Sequence, residues 1–181
     1  MKKIIAVVLA ALLLICMAAC SGSQPANSEG QTGSEKTTVE KDELLGRSEF
    51  DSVVKSNDLT VVAVLATWST PCEEYVSVLQ EFSKNYKNVG VVAIFEDTVD
   101  SESYAVDEYA AADAAEIVSE NGGKFDVIVP DEYLYTTFCA NADYCPTTYV
   151  VDNAGNILGE GVLGAQELDA LSAMVDALLA D

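Results

Sequence analysis

Apolar positions recur in two rhythms between residues 48 and 179, and the alternation of those rhythms lays out the elements. Ser48 to Asn57 carries Phe50, Val53 and Val54 at i, i+3 and i+4, which predicts a short amphipathic helix. Leu59 to Ala66 is almost unbroken Val, Leu and Ala, as expected of a strand covered on both faces. From Pro71, the spacing of Tyr75, Val78, Leu79, Phe82 and Tyr86 predicts a helix with one face on that sheet, and Val89 to Phe95 reads as a second buried strand. After a polar loop come a helix near Val106 to Asn121 stopped by Gly122 and Gly123, a strand from Phe125 to Val129, and a short helix from about Glu132. Thr147 to Val151 is a strand, "DNAGN" a turn, Ile157 to Leu163 the strand returning antiparallel, and Gln166 to Leu179 a closing helix. The order α β α β α β α β β α implies an α/β fold with a mixed central sheet between helical layers.

The first residues obey neither rhythm. Lys2 and Lys3 precede an apolar run from Ile4 to Ile15, the pattern of an export signal, read here as residues 1–19. It ends in "MAACSGS", which looks like a bacterial lipobox with Met17 where Leu is usual. That likeness implies that Cys20 becomes an acylated N-terminus, anchoring the protein to the outer face of the cytoplasmic membrane without spanning it. An ordinary cleavage site with Cys20 an incidental thiol is the alternative. Residues 20–45 are rich in Ser, Gly, Thr, Glu and Lys and read as a solvated tether, which leaves 46–181 as the folded domain.

Charge narrows the function classes. The chain carries 30 acidic and 9 basic residues and no histidine, and loss of Lys2 and Lys3 would leave 7 basic residues. Such a surface repels phosphate backbones, which argues against nucleic acid as a partner. The absence of histidine excludes His-based catalysis and His-ligated metal.

The candidate chemistry lies in "ATWSTPCEEY" and "CANADYCPTTYVV". "TPCE" makes a good helix start, with Thr70 as N-cap, Pro71 at the first helical position and Glu73 as capping-box partner. That leaves Cys72, which reads either as a small buried core residue or as a reactive thiol.

From Phe50 onward the chain resembles the thioredoxins, and more closely the TlpA/ResA-like extracytoplasmic thiol-disulfide oxidoreductases. Three features carry the resemblance: "VAVLATWSTPC" as strand and active-site turn, "CPTTYVVDNAGNILGEGVLGA" as proline strand and hairpin, and the helix and strand at 106 to 129 as the TlpA/ResA-type insertion. The resemblance implies a cis Pro146 opposite the turn at Trp68 to Cys72. It implies that the residue before Pro146 offers its backbone to an extended peptide, and that Trp68 flanks the same groove. A protein thiol or disulfide would be the substrate, with a membrane redox partner if the domain cycles, and no cofactor.

The pattern breaks where the family's first cysteine should stand. That position is Ser69, and a hydroxyl cannot form a mixed disulfide. Cys72 matches the second, more buried thiol. Ala63 stands where plain thioredoxins have an acid, Tyr75 where the TlpA/ResA-like helix often has Glu, and Ser77 where it often has Pro.

Beyond Cys16 and Cys20, three cysteines remain: Cys72, Cys139 and Cys145. Cys139 and Cys145 could close the "CANADYC" loop, or Cys72 and Cys145 could pair across the groove as a relocated redox couple, or no bond forms; spacing alone does not decide. Three thiols without a fourth ligand make a poor zinc site. Two function classes follow. One is an atypical thiol-disulfide oxidoreductase working through Cys72 with Cys145 or Cys139; the other is a redox-inactive domain that holds peptide at Trp68 and Pro146.

Overall fold

The computed structural model describes residues 46–180, so the expected export signal, Cys20 and the tether lie outside the described residues. The elements run α1 (Arg47–Ser56), β1 (Leu59–Leu65), α2 (Thr70–Asn85), β2 (Val89–Phe95), α3 (Glu108–Glu120), β3 (Asp126–Ile128), α4 (Glu132–Thr137), β4 (Thr147–Asp152), β5 (Val162–Leu163) and α5 (Leu168–Leu179). They form a five-stranded sheet in the order β3-β2-β1-β4-β5. β1, β2 and β3 are parallel, whereas β4 and β5 run antiparallel to their neighbours.

β1 is the centre because every one of its side chains is apolar or small enough to be covered; all seven are buried. Its alternate residues feed two separate cores. Leu59, Val61, Ala63 and Leu65 pack with Tyr75, Val76, Leu79 and Phe82 of α2, with Ala114 and Val118 of α3, and with Leu171 and Val175 of α5. Val62 and Val64 face the other way, toward Phe50 and Val54 of α1, Leu134 of α4, and Phe138 and Tyr149. The strand period of two thus distributes one apolar run between two helical layers.

Two expectations are corrected. The returning strand is only Val162–Leu163, with Ile157 in an isolated bridge to Val151. Gly159 and Gly164 adopt φ of 80° and 81°, which interrupts a ladder at both ends. Gly161 lies so close to Tyr149 that an added Cβ would meet the ring at 2.6 Å. The N-cap of α2 is Ser69 rather than Thr70, and its hydroxyl caps no backbone N–H. That hydroxyl is turned to Cys72 instead.

Among the described residues, no helix is long and apolar enough to cross a membrane.

Candidate active site

Parallel pairing of β1 with β2 ends at Leu65 opposite Phe95, so the turn after β1 and the segment after β2 emerge side by side. Each supplies part of one site. The first carries Ala66 to Cys72; the second is a short 3-10 turn, Glu96–Thr98. They are tied together by Asp97, whose carboxylate accepts from the Thr67 backbone N–H at 3.1 Å and also from the Thr67 hydroxyl.

Cys72 lies in the first turn of α2 and is fully buried, at 0% exposure. Burial alone would push its thiol up, yet it is held down at about 7. The largest cause is a hydrogen bond from the Cys145 thiol; the Ser69 hydroxyl and the Ala66 backbone add to it. The start of a helix also favours a thiolate over a thiol.

Cys145 arrives on a different segment, two residues before β4. The Cys145–Pro146 peptide bond is cis. Cys145 is partly exposed, and it packs against both apolar cores, at the seam between them. Its thiol is pushed strongly up, first by donating to the Cys72 sulfur, then by burial and by the Glu96 carboxylate beside it. Glu96 is itself raised above the ordinary carboxylate value by burial, against a hydrogen bond with Cys145 that pulls it down. Cys72, Cys145 and Glu96 therefore form one interacting cluster, in which the proton on Cys145 has a sulfur and a carboxylate for neighbours.

Cys139 lies apart from the Cys72–Cys145 pair, although the Glu96 carboxylate also acts on it. It is buried with Phe50, Leu134 and Phe138 in the core on the α1 and α4 side of the sheet, and burial pushes its thiol up to about 12. All three cysteines are free thiols, so the "CANADYC" loop is not closed by a bond. Tyr75 supplies no carboxyl either; its hydroxyl is paired with the Thr148 hydroxyl at 3.0 Å in the buried interior. Trp68 stands 72% exposed and Tyr144 69%, one next to each thiol-bearing segment. Thr70 and Pro71 form the exposed first residues of α2, and Pro146 is buried.

Sequence reasoning passed over Glu96 and Asp97 as part of a polar loop. The available signal was the parallel pairing itself: two adjacent buried strands ending at the turn that carries Cys72 and at "ED" must place those carboxylates beside the turn.

Among the described residues, no group of three or more thiols and carboxylates is arranged to hold a metal ion. No family model matches the chain. Among solved structures, a thioredoxin-like protein from Aeropyrum pernix superposes with a TM-score of 0.54 at 17% identity, covering 67% of this chain and 78% of that one. The fold is thioredoxin-like. A second neighbour of the thioredoxin-like domain is a secreted disulfide oxidoreductase of Mycobacterium tuberculosis, with a TM-score of 0.50 at 18% identity and coverage of 70% and 84%. In sequence, thioredoxin 1 of Plasmodium falciparum is 32% identical over 56 residues, which is 31% of this chain and 54% of that protein. The match thus spans about half the length of that curated relative.

Proposed function

We propose that the thioredoxin-like domain is an atypical thiol-disulfide oxidoreductase of the TlpA/ResA-like kind, whose redox couple is Cys72 with Cys145. The observation that carries this reading is that Cys145, the residue before Pro146, packs against the cluster that holds Cys72 at the helix start, with each thiol shifting the other. The reduced pair already has what disulfide chemistry needs: one thiol held near neutrality, a second in contact with it, and an opening at the second. Ser69 has given up the thiol of that position and keeps a donor to Cys72. Cys139, buried and strongly protonated, has no part in the exchange.

The domain, residues 46–181, acts at the outer face of the cytoplasmic membrane, tethered through 20–45 to an acylated Cys20 after removal of 1–19. The basic start, apolar run and "MAACSGS" support that placement. Its substrate is an extended peptide or protein thiol or disulfide laid along Trp68 and Pro146, and a membrane thiol partner resets the couple.

The test is disulfide reduction and thiol oxidation by the intact chain beside Cys72→Ala, Cys145→Ala and the double variant. Parental activity no higher than that of the double variant would leave a peptide-binding domain without redox turnover, the reading that the full burial of Cys72 favours.

A further inference from the structure

We propose that Cys145, rather than the helix-borne Cys72, is the thiol that meets substrate, and that the Glu96 carboxylate receives its proton. This rests on the pair being a redox couple, as proposed above, and adds the order of events and the acid-base group. It places the entering nucleophile in the segment that leads into β4, with the helix thiol as resolver.

Accessibility carries the order. Thiol exchange needs a substrate disulfide to come into line with the attacking sulfur, and Cys72 has no exposed surface through which that could happen. Cys145 is partly exposed and follows the exposed ring of Tyr144. Contact carries the rest. Cys145 packs against the apolar cluster that holds Cys72, the β1–β2 register brings Glu96 to the same end of the sheet, and both groups act on the Cys145 thiol. Asp97 is engaged with Thr67, and Ala63 and Tyr75 bring no carboxyl. There is no histidine in the chain.

The Cys145 thiol passes its proton to Glu96, and its sulfur attacks one sulfur of the substrate disulfide. A bond forms between Cys145 and that sulfur, the substrate S–S bond breaks, and the departing thiolate takes the proton from Glu96. The Cys72 thiolate then attacks the Cys145 sulfur, and the second substrate sulfur leaves as a thiolate and is protonated by water. Two electrons have moved from the couple to the substrate, leaving a Cys72–Cys145 disulfide. A dithiol reductant restores the couple by the same exchanges in reverse.

The test uses the intact chain and oxidised glutathione as disulfide probe, with peptide mass spectrometry to locate the adduct. Cys72→Ser should accumulate a glutathione adduct on Cys145 at least about tenfold faster than Cys145→Ser accumulates one on Cys72, because a fully buried thiol cannot come into line with a disulfide whatever its thiolate fraction, and Cys72→Ser removes the largest cause that raises Cys145. An adduct on Cys72 that forms as fast or faster overturns the order. Glu96→Gln, made in the Cys72→Ser background, separates the two roles the carboxylate could have. As a proton acceptor its loss slows adduct formation at Cys145 and flattens the pH profile, with Glu96→Asp intermediate. As a mere negative charge its loss would make Cys145 more acidic and speed the reaction, so a rate equal to or above that of the parent overturns the role of Glu96. Failure of the underlying couple looks different: in a glutathione redox series on the unsubstituted chain, no Cys72–Cys145 linkage would form under any condition. A linkage that forms while the adduct order is reversed removes only the entry assignment.

Discussion

Cys139 and Cys145 close the two ends of one short loop, and the structure gives them opposite surroundings. Cys139 faces inward among Phe50, Leu134 and Phe138, where burial keeps it protonated and it serves as a small apolar side chain. Cys145 lies at the seam of the two cores, partly exposed, against a second thiol and a carboxylate. The two share a residue type and a stretch of chain. What separates them is contact: a thiol becomes chemically useful where it meets a partner sulfur and a route for its proton.

The largest expected effect tests that difference directly. Cys145→Ala should lower disulfide exchange by about 100-fold or more, equivalent to about 2.7 kcal/mol of barrier, whereas Cys139→Ala should leave the rate within about twofold. Equal losses from both substitutions would erase the distinction. Cys139→Ser then tests the inward thiol as a core residue. A hydroxyl placed without a partner in that apolar cluster should cost about 1–3 kcal/mol in denaturant unfolding while the exchange rate holds. A stability unchanged from the parent would mean the cluster is not sealed.

Tyr75 sharpens the same contrast from the helix side, since it occupies a position where a carboxyl would serve chemistry and instead bonds Thr148. Tyr75→Phe should cost about 1 kcal/mol of stability and little activity. A severe loss of exchange with stability intact would return that position to the reaction.

The smallest effect is confined to a pH window. Ser69→Ala removes one of the donors that lower Cys72, so the pH at which the Cys72 thiolate is half-formed should move upward from about 7. Exchange should slow below that point and match the parent well above it, measured as a pH profile. The stability consequence has a definite sign. A thiol lowered in the folded state contributes stability that is present above its ordinary value and lost as pH falls through about 7. The deficit of Ser69→Ala should therefore appear at high pH and vanish at low pH.

Much of this was legible in the residues. The unbroken run "LTVVAVL" marked the central strand, the helical spacing from Tyr75 to Tyr86 marked α2, and "CPTT" placed a thiol immediately before the proline strand. The Gly-rich "ILGEGVLG" was harder, because it has the apolar content of a strand but glycines whose left-handed backbone ends the ladder. Glu96 was hidden for a different reason. Nothing local distinguishes a carboxylate that ends a buried strand from one that begins a solvated loop; only the register Leu65 to Phe95 brings it to the thiols. The direction of Cys139 was likewise beyond periodicity, since a residue in a short 3-10 turn after α4 has no repeating face to inherit. Ser69 was legible as a loss, while its hydroxyl's turn toward Cys72 depends on a helix start that leaves that side chain uncommitted to capping.

Non-reducing peptide mapping of the intact chain across a glutathione redox series should give a Cys72–Cys145 linked peptide that appears at the oxidising end and disappears at the reducing end, with Cys139 unmodified throughout. A linkage between Cys139 and Cys145, or no linkage to Cys72 at any potential, would contradict Cys72 and Cys145 as the redox couple.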